Sequence, residues 1–328
     1  MTNHTAIMIC GDTRPDGADA QAFQQLSEIL SKDLQDHEVA YGLLDADDAS
    51  IDAGLEALKS RGANKIICLP GMLFTPADVK SALPNALNAF DQANPEIEIT
   101  LGKDLGIDPK MLLAAEARVR EAMPDADTFG DTVLVIVGAG ANDAEANGHI
   151  AKMARLLWEG MGFAWSEICY SNDVFPSVDQ VIRQTVKLPY KKILVLPYFL
   201  FAGQAVADIH VAVDTAAASN PAHTFIKAQP LGVERRVIET MVERVQQALE
   251  GGEANAMNCQ LCTFREQVLG QEAGHGHHHH GHDHSHSHTH DHAHSHSDDH
   301  AHSHSDGHAH SHSDGHARSH DPDGNTER

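Results

Sequence analysis

The first half of this chain recurs as its second half, displaced by 127 residues. Residues 6–11 (Ala-Ile-Met-Ile-Cys-Gly) align with residues 133–138 (Val-Leu-Val-Ile-Val-Gly). At the same offset, residues 65–70 (Lys-Ile-Ile-Cys-Leu-Pro) align with residues 192–197 (Lys-Ile-Leu-Val-Leu-Pro). Periods of about 20–50 residues are typical of solenoids and propellers, whereas this period has the size of a domain. The repeat therefore predicts a tandem duplication that gives two similar lobes, with a cleft between them as the first place to look for function.

Shorter matches follow the main repeat one residue out of step. They are Leu105-Gly106 with Leu231-Gly232, and Arg118-Val119 with Arg244-Val245. The duplication therefore extends to the end of each predicted lobe.

Charge and composition exclude several classes of function. The chain has 328 residues and a net charge of −24, which argues against binding to nucleic acid, because phosphate is neutralised by basic patches. Its apolar runs fall short of the roughly 20 residues of a membrane span, and the N-terminus lacks the pattern of a signal peptide. Five cysteines without regular spacing do not indicate a disulfide framework. We expect a soluble protein of the reducing cytoplasm that meets cations.

Each lobe is predicted to be α/β, with a parallel sheet covered by helices on both faces. Continuous apolar runs at residues 6–10, 39–44 and 66–69 alternate with amphipathic helices such as residues 51–60. Ligands of such sheets bind at the carboxyl ends of the strands. The candidate loops are residues 11–16 and 70–80, with their counterparts 138–143 and 197–208.

The predicted organisation has four parts. Residues 1–127 and 128–252 form the two lobes, residues 253–272 a short segment with two cysteines, and residues 273–328 a histidine-rich tail. The tail contains almost nothing that could be buried, so we expect it to be disordered when free of ligand.

The tail carries the strongest chemical signal in the sequence. Between His275 and His320 lie 21 of the 26 histidines, and an octad begins at His292, His300 and His308 with slight variation. Neutral imidazole is the commonest side-chain ligand for Co²⁺, Ni²⁺ and Zn²⁺, and an expression tag would be much shorter. The predicted metal ligands of the tail are His277, His278, His279, His280, His282, His284, His286, His288 and His290.

Cys259 and Cys262 form a single CxxC pair. Two thiolates do not close a zinc or iron–sulfur site, which needs four ligands. A second pair across a homodimer, or histidines of the tail, could complete it. Cys10, Cys68 and Cys169 lie in predicted strands and are interpreted as core residues.

Several stretches resemble the long form of the sirohydrochlorin chelatase CbiX. They are residues 70–74 (Pro-Gly-Met-Leu-Phe), 156–163 (Leu-Leu-Trp-Glu-Gly-Met-Gly-Phe), 197–201 (Pro-Tyr-Phe-Leu-Phe) and 257–262 (Met-Asn-Cys-Gln-Leu-Cys). The likeness covers residues 6 to about 272. It implies two chelatase-type α/β lobes that bind a sirohydrochlorin-type tetrapyrrole and insert Co²⁺ for cobalamin synthesis without nucleotide hydrolysis; ferrochelatase relatives insert Fe²⁺. The resemblance also associates the CxxC segment with an iron–sulfur cluster and the tail with metal holding.

The sequence departs from the family pattern at both signature histidines. The family's first loop reads Gly-His-Gly-Ser, whereas Gly11 is followed here by Asp12; the second reads Phe-Ala-Ala-Gly-His, whereas Asp78 stands here in the histidine's place. The second lobe has Ala139 and Ala205 at the equivalent positions. Without the resemblance, both aspartates would be interpreted as solvated loop residues.

Metal insertion needs a ligand that presents the metal and a base that accepts two pyrrole protons. Imidazole suits both roles, while a carboxylate binds metal through oxygen and is a weaker base unless burial raises its pKa. We therefore predict Asp12 and Asp78 as catalytic metal ligands, with Arg14, Lys80 and Gln204 as contacts to the macrocycle. The competing interpretation is a catalytically weak relative that stores metal or delivers it as a metallochaperone.

Overall fold

The structure is a computed structural model that describes residues 4–12, 18–44, 46, 49–172 and 174–251. In the first lobe, strands and helices alternate along the chain: β1 (Thr5–Gly11), α1 (Ala18–Asp33), β2 (Glu38–Leu43), α2 (Ile51–Ser60), β3 (Lys65–Pro70), α3 (Ala77–Ala93), β4 (Glu98–Leu101) and α4 (Pro109–Ala122). A short 3-10 helix, Ala126–Asp131, leads into the second lobe.

The second lobe repeats the same order of elements. They are β5 (Thr132–Gly138), α5 (Ala144–Met161), β6 (Trp165–Tyr170), α6 (Val178–Thr185), β7 (Lys192–Pro197), α7 (Gln204–Ser219), β8 (Thr224–Lys227) and α8 (Arg235–Leu249). The α/β class and the tandem repeat predicted from the sequence are confirmed.

Both sheets are parallel and have the same topology, β2-β1-β3-β4 in the first lobe and β6-β5-β7-β8 in the second. The neighbouring strands β1 and β3 pair with Cys10 opposite Pro70, and β5 and β7 pair with Val137 opposite Pro197. Parallel pairing brings the loops that follow β1 and β3 to one edge of the first sheet. The equivalent loops of the second lobe share one edge of the second sheet in the same way.

The two lobes share one hydrophobic core. On β1, Ile7 and Ile9 join a cluster that also contains Leu134 and Ile136 of β5. Residues that point to the opposite faces, such as Met8, belong to separate clusters that are private to each lobe. This alternation follows from the two-residue period of a strand, and it explains why the strands read as continuous apolar runs: both faces of each sheet are covered.

The last helix of each lobe holds a loop of the other lobe. Arg118 of α4 donates from Nε and Nη2 to the carbonyl of Leu231, at 3.1 and 2.8 Å. Arg244 of α8 donates from Nη2 to the carbonyl of Leu105 at 3.0 Å. These arginines and leucines are the out-of-step matches of the repeat, so the duplicated sequence encodes a reciprocal contact between the lobes.

Most element boundaries lie where the sequence predicts them. Helix α2 has the predicted ends, and the last helix begins at Arg235 because Glu234 caps it by accepting from the amide of Arg236. The side chains of Cys10, Cys68 and Cys169 are buried in strands, which confirms them as core residues. The cysteine pair and the histidine tail lie outside the described residues.

None of the helices described is both long and apolar enough to cross a membrane.

Candidate functional site

The candidate site lies at the carboxyl edge of the first sheet, where two loops follow neighbouring strands. Asp12 comes directly after β1 and is half-buried, while Asp78 is exposed in the first turn of α3, on the loop that follows β3. The two strands are paired up to their ends, where the amide of Gly71, directly after β3, donates to the carbonyl of Cys10 in β1 at 2.8 Å. The structure thus brings the loops of both predicted metal ligands to the same edge of the sheet.

The remaining predicted site residues are distributed differently. Gln204 lies in the second lobe, exposed at the start of α7, where its amide donates to the carboxylate of Asp208 at 2.7 Å. Arg14 falls outside the described residues, as do Cys259, Cys262 and the histidines of the tail.

A half-buried carboxylate that was not predicted from the sequence lies beside the second loop. Asp104, which follows β4, accepts from the amide and the hydroxyl of Thr75 at 2.8 and 2.9 Å, both at Oδ2. Burial raises the pKa of Asp104, and this effect outweighs the hydrogen bonds from Thr75 and the attraction of His149 and Lys80, which lower it. The repeat held a signal for it, because the equivalent position in the second lobe is Pro230.

Lys80 connects this loop to the second lobe. Its ammonium donates to Asp143 Oδ2 at 2.9 Å and to Glu145 Oε2 at 2.8 Å. The Lys80 side chain is 13% exposed and that of Asp143 is completely buried. Asp143 also caps α5, since its Oδ1 accepts from the amides of Glu145 and Ala146. In the sequence, Asp143 was marked only as the last residue of a candidate loop.

Aromatic rings from both lobes meet beside the same loop. The ring of Phe74 lies 4.9 Å from that of His149 on α5, and it stacks on Tyr198 with the ring centres 6.1 Å apart. His149 Nδ1 and the Tyr198 hydroxyl are buried and have no hydrogen-bond partner among the described residues. Burial raises the pKa of Tyr198, so its hydroxyl stays protonated. Tyr198 and Phe199 are core residues.

The side chains at this edge present carboxylate oxygens, an ammonium and aromatic surface. Carboxylate oxygens can bind divalent cations, although imidazole is the commoner ligand for Co²⁺ and Ni²⁺. Within the part of the chain that is described, no three His, Cys, Asp or Glu side chains form a ready-made metal site.

The sequence model of the CbiX family matches residues 6–122 and 133–248, that is, both lobes. The chain belongs to the CbiX family. Membership of the CbiX family was expected from the resemblance, and that expectation is confirmed.

Two relatives from Priestia megaterium match most of the chain. A sirohydrochlorin cobaltochelatase is 28% identical over 217 residues, which is 66% of this chain and 70% of that protein. A sirohydrochlorin ferrochelatase is 26% identical over 246 residues, which is 74% of this chain and 90% of that protein.

Solved structures show the same fold. SirB from Bacillus subtilis with Fe³⁺ superimposes with a TM-score of 0.69 at 22% identity, covering 77% of this chain and 98% of that one. The same enzyme from subspecies spizizenii in complex with cobalt gives a TM-score of 0.64 at 22% identity, with the same coverage. The two-lobe CbiX architecture accordingly accounts for the described part of the chain.

The iron–sulfur cluster that the resemblance implies is not supported by the described cysteines. Cys10, Cys68 and Cys169 are buried in strands. The hydrogen bond with Cys10 and burial raise the pKa of the Cys68 thiol, and burial raises the pKa of the Cys169 thiol. Because a cluster binds thiolates, these residues do not fit as the missing ligands of Cys259 and Cys262. A cluster would require ligands from the tail or from a second subunit.

Proposed function

We propose that this protein inserts Co²⁺ into a sirohydrochlorin-type tetrapyrrole, as a cytoplasmic, nucleotide-independent cobaltochelatase of cobalamin synthesis. The observation that carries the proposal is the match of the CbiX family across both lobes, together with Asp12 and Asp78 on adjoining loops of the first sheet. The cobaltochelatase relative supports cobalt as the metal.

In this proposal, Asp12 and Asp78 bind the incoming metal ion through carboxylate oxygens. The metal ion is a substrate: it forms bonds to the pyrrole nitrogens while two N–H bonds break and two protons leave. The released protons pass to carboxylates and water at the site. Burial raises the pKa of Asp104 beside the second loop, which makes this carboxylate a better proton acceptor than an ordinary one.

The macrocycle is proposed to lie against the carboxyl edge of the first sheet, with Arg14 and Gln204 as contacts to its polar rim. A third predicted contact, Lys80, is engaged by two carboxylates of the second lobe. For Lys80 to bind a carboxylate of the macrocycle, it would have to exchange these partners.

Iron is the alternative metal for the same reaction. The ferrochelatase relative is 26% identical and the cobaltochelatase 28% identical, so similarity alone does not separate the two metals. A comparison of insertion rates for Co²⁺ and Fe²⁺ under anaerobic conditions distinguishes them.

A second function, metal storage or delivery, is favoured by one specific observation. Both family histidines are replaced, while 21 histidines stand between His275 and His320. In that account, the tail binds Co²⁺, Ni²⁺ or Zn²⁺, and the lobes serve as a carrier. Binding by the tail should weaken as pH falls through the imidazole pKa of about 6.5, because protons compete with metal.

The experiment that separates the two functions is an absorbance assay with sirohydrochlorin and Co²⁺. A chelatase accelerates insertion above the uncatalysed rate, both as the full chain and after deletion of residues 275–320. A storage protein gives no acceleration, and its tight Co²⁺ binding disappears with the deletion. Equal rates with and without protein would contradict the chelatase proposal.

A further inference from the structure

The second lobe contacts the first turn of α3, which carries Asp78, through the largely buried ammonium of Lys80. Lys80 lies two residues after Asp78 in the first turn of α3, and its ammonium contacts two carboxylates at the start of α5. The exposed fractions of the side chains are 13% for Lys80, 0% for Asp143 and 15% for Glu145. This ion cluster is thus largely shielded from solvent, unlike an ordinary surface pair.

The second lobe has no lysine at the position equivalent to Lys80 that could make the same contact with the first lobe. Where the first lobe has Lys80, the second lobe has Ala207, which is exposed on α7. The arginine contacts between the lobes are reciprocal, whereas this lysine contact runs only from the second lobe to the candidate site. Because the lysine contact is made only beside the candidate site, whereas the arginine contacts are made by both lobes, it indicates a role beyond joining the lobes.

Burial makes the geometry of this contact strict. A lysine ammonium removed from water needs partners for its charge and its hydrogen bonds, and both carboxylates supply them here. Asp143 is itself fixed because its other oxygen caps α5. The first turn of α3 is therefore tied to a rigid helix end of the opposite lobe, and Thr75 ties the preceding residues to Asp104 within the first lobe.

We propose that Lys80 is a positioning residue, through which Asp143 and Glu145 of the second lobe fix the carboxylate of Asp78 for metal insertion. This proposal rests on the proposed function of Asp78. It gives the second lobe, which has alanine at both signature positions, a defined part in the reaction. It also differs from a direct contact between Lys80 and the macrocycle.

The two roles of Lys80 predict opposite effects when its partners are neutralised. Asp143→Asn with Glu145→Gln keeps the capping oxygen of residue 143 but removes both charges that hold the ammonium. If Lys80 positions Asp78, this double variant behaves like Lys80→Met. If Lys80 binds the macrocycle, the double variant releases the ammonium, and its KM for the tetrapyrrole stays the same or falls.

The experiment measures kcat and KM for sirohydrochlorin in the full chain at saturating Co²⁺. For Lys80→Met and for the double variant, we expect kcat to fall on the order of 10- to 100-fold, since small misplacements of reacting groups have effects of this size. KM should change less than about twofold, and Lys80→Arg should recover most of the rate. The matched control is Lys110→Met, which breaks a more exposed ion pair between α4 and α8 and should leave kcat unchanged.

Hydrogen–deuterium exchange of residues 76–82 gives a readout that does not depend on activity. The amide of Lys80 donates to the carbonyl of Pro76 at 2.9 Å and so reports on the first turn of α3. Faster exchange there in Lys80→Met and in the double variant, but not in Lys110→Met, supports the proposal. Unchanged exchange in both, or a rise in KM confined to Lys80→Met, overturns it. If the hydrogen–deuterium exchange results are as expected but the wild-type chain does not accelerate insertion, only the proposed function is refuted.

Discussion

The two lobes share a fold but differ in the side chains at the carboxyl edges of their sheets. Their sheets have identical strand orders, and the arginines at their last helices make reciprocal contacts. At the carboxyl edge the lobes diverge, and the first has polar residues where the second does not. The paired positions are Asp12 and Ala139, Asp78 and Ala205, Lys80 and Ala207, and Asp104 and Pro230.

This difference shows how a duplicated protein can divide its work. A sheet edge that binds a metal ion needs polar side chains, which are costly to bury. A sheet edge without that role can lose them without harm to the fold. The second lobe retains the features that hold its partner, Asp143 at the start of α5 and Arg244 on α8. The pairs of equivalent residues therefore offer direct tests of which lobe does what.

The largest expected effect on stability distinguishes the two reciprocal arginines. Arg244 is almost completely buried and also pairs with Asp108 at 3.0 Å, whereas Arg118 pairs with the more exposed Glu121. Arg244→Met leaves a carboxylate uncompensated, so we expect a loss of about 3 kcal/mol in the free energy of unfolding. Arg118→Met removes mainly the hydrogen bonds to the carbonyl of Leu231. We therefore expect a smaller loss, of about 1 kcal/mol, in the free energy of unfolding.

Urea unfolding of both variants measures this difference, with Arg155→Met on an exposed face of α5 as the control. A single transition is expected in each case, because the lobes share one core. Equal losses for Arg118→Met and Arg244→Met would contradict the claim that the buried ion pair matters.

A smaller, pH-dependent effect is expected at Asp104. Because burial raises its pKa in the folded state, folding favours the protonated carboxyl, and the contribution of Asp104 to stability is lost as pH rises above the unfolded value. Asp104→Asn removes this loss and keeps an acceptor for Thr75. The melting temperature of the variant should therefore rise relative to wild type between pH 4 and pH 7, by about 2–4 °C for each kcal/mol.

Differential scanning calorimetry across that pH range tests the sign of the effect at Asp104. Asp91→Asn provides a control, since Asp91 lies exposed on α3. A difference from wild type that is constant across the range, or that shrinks as pH rises, would refute the raised pKa.

The smallest effect is expected when the second lobe is given the carboxylates of the first. Ala139→Asp and Ala205→Asp together should leave the rate of insertion within about twofold of wild type, because the second lobe also lacks equivalents of Asp104 and Lys80. The measurement is the initial rate with sirohydrochlorin and Co²⁺. A severalfold gain would show that the second edge can catalyse and would remove the asymmetry.

The sequence predicted the fold well because its signals are local or repeated. Apolar runs such as residues 6–10 identify strands, and the offset of 127 residues reveals the duplicated lobes. The loops that carry Asp12 and Asp78 also follow from the rule that parallel strands end at one edge. These features depend on the chain's own pattern and not on contacts between distant segments.

The rest of the site depends on long-range contacts that no local pattern encodes. Lys80 meets Asp143 across 63 residues of sequence, and Asp104 looks like a solvated loop residue until its burial is known. Both could have been suspected from the repeat, since Ala207 and Pro230 stand at the equivalent positions. A residue pair that breaks an internal repeat is thus a useful guide to function.

The central claim is that carboxylates of the first lobe take the place of the family's two histidines. The most direct test is the single-turnover rate of Co²⁺ insertion into sirohydrochlorin by the full chain, compared with Asp12→Ala and Asp78→Ala, with Asp91→Ala as the control. We predict that each site variant lowers the rate on the order of 100-fold or more, while the control matches wild type. Site variants that insert cobalt as fast as wild type would contradict the account.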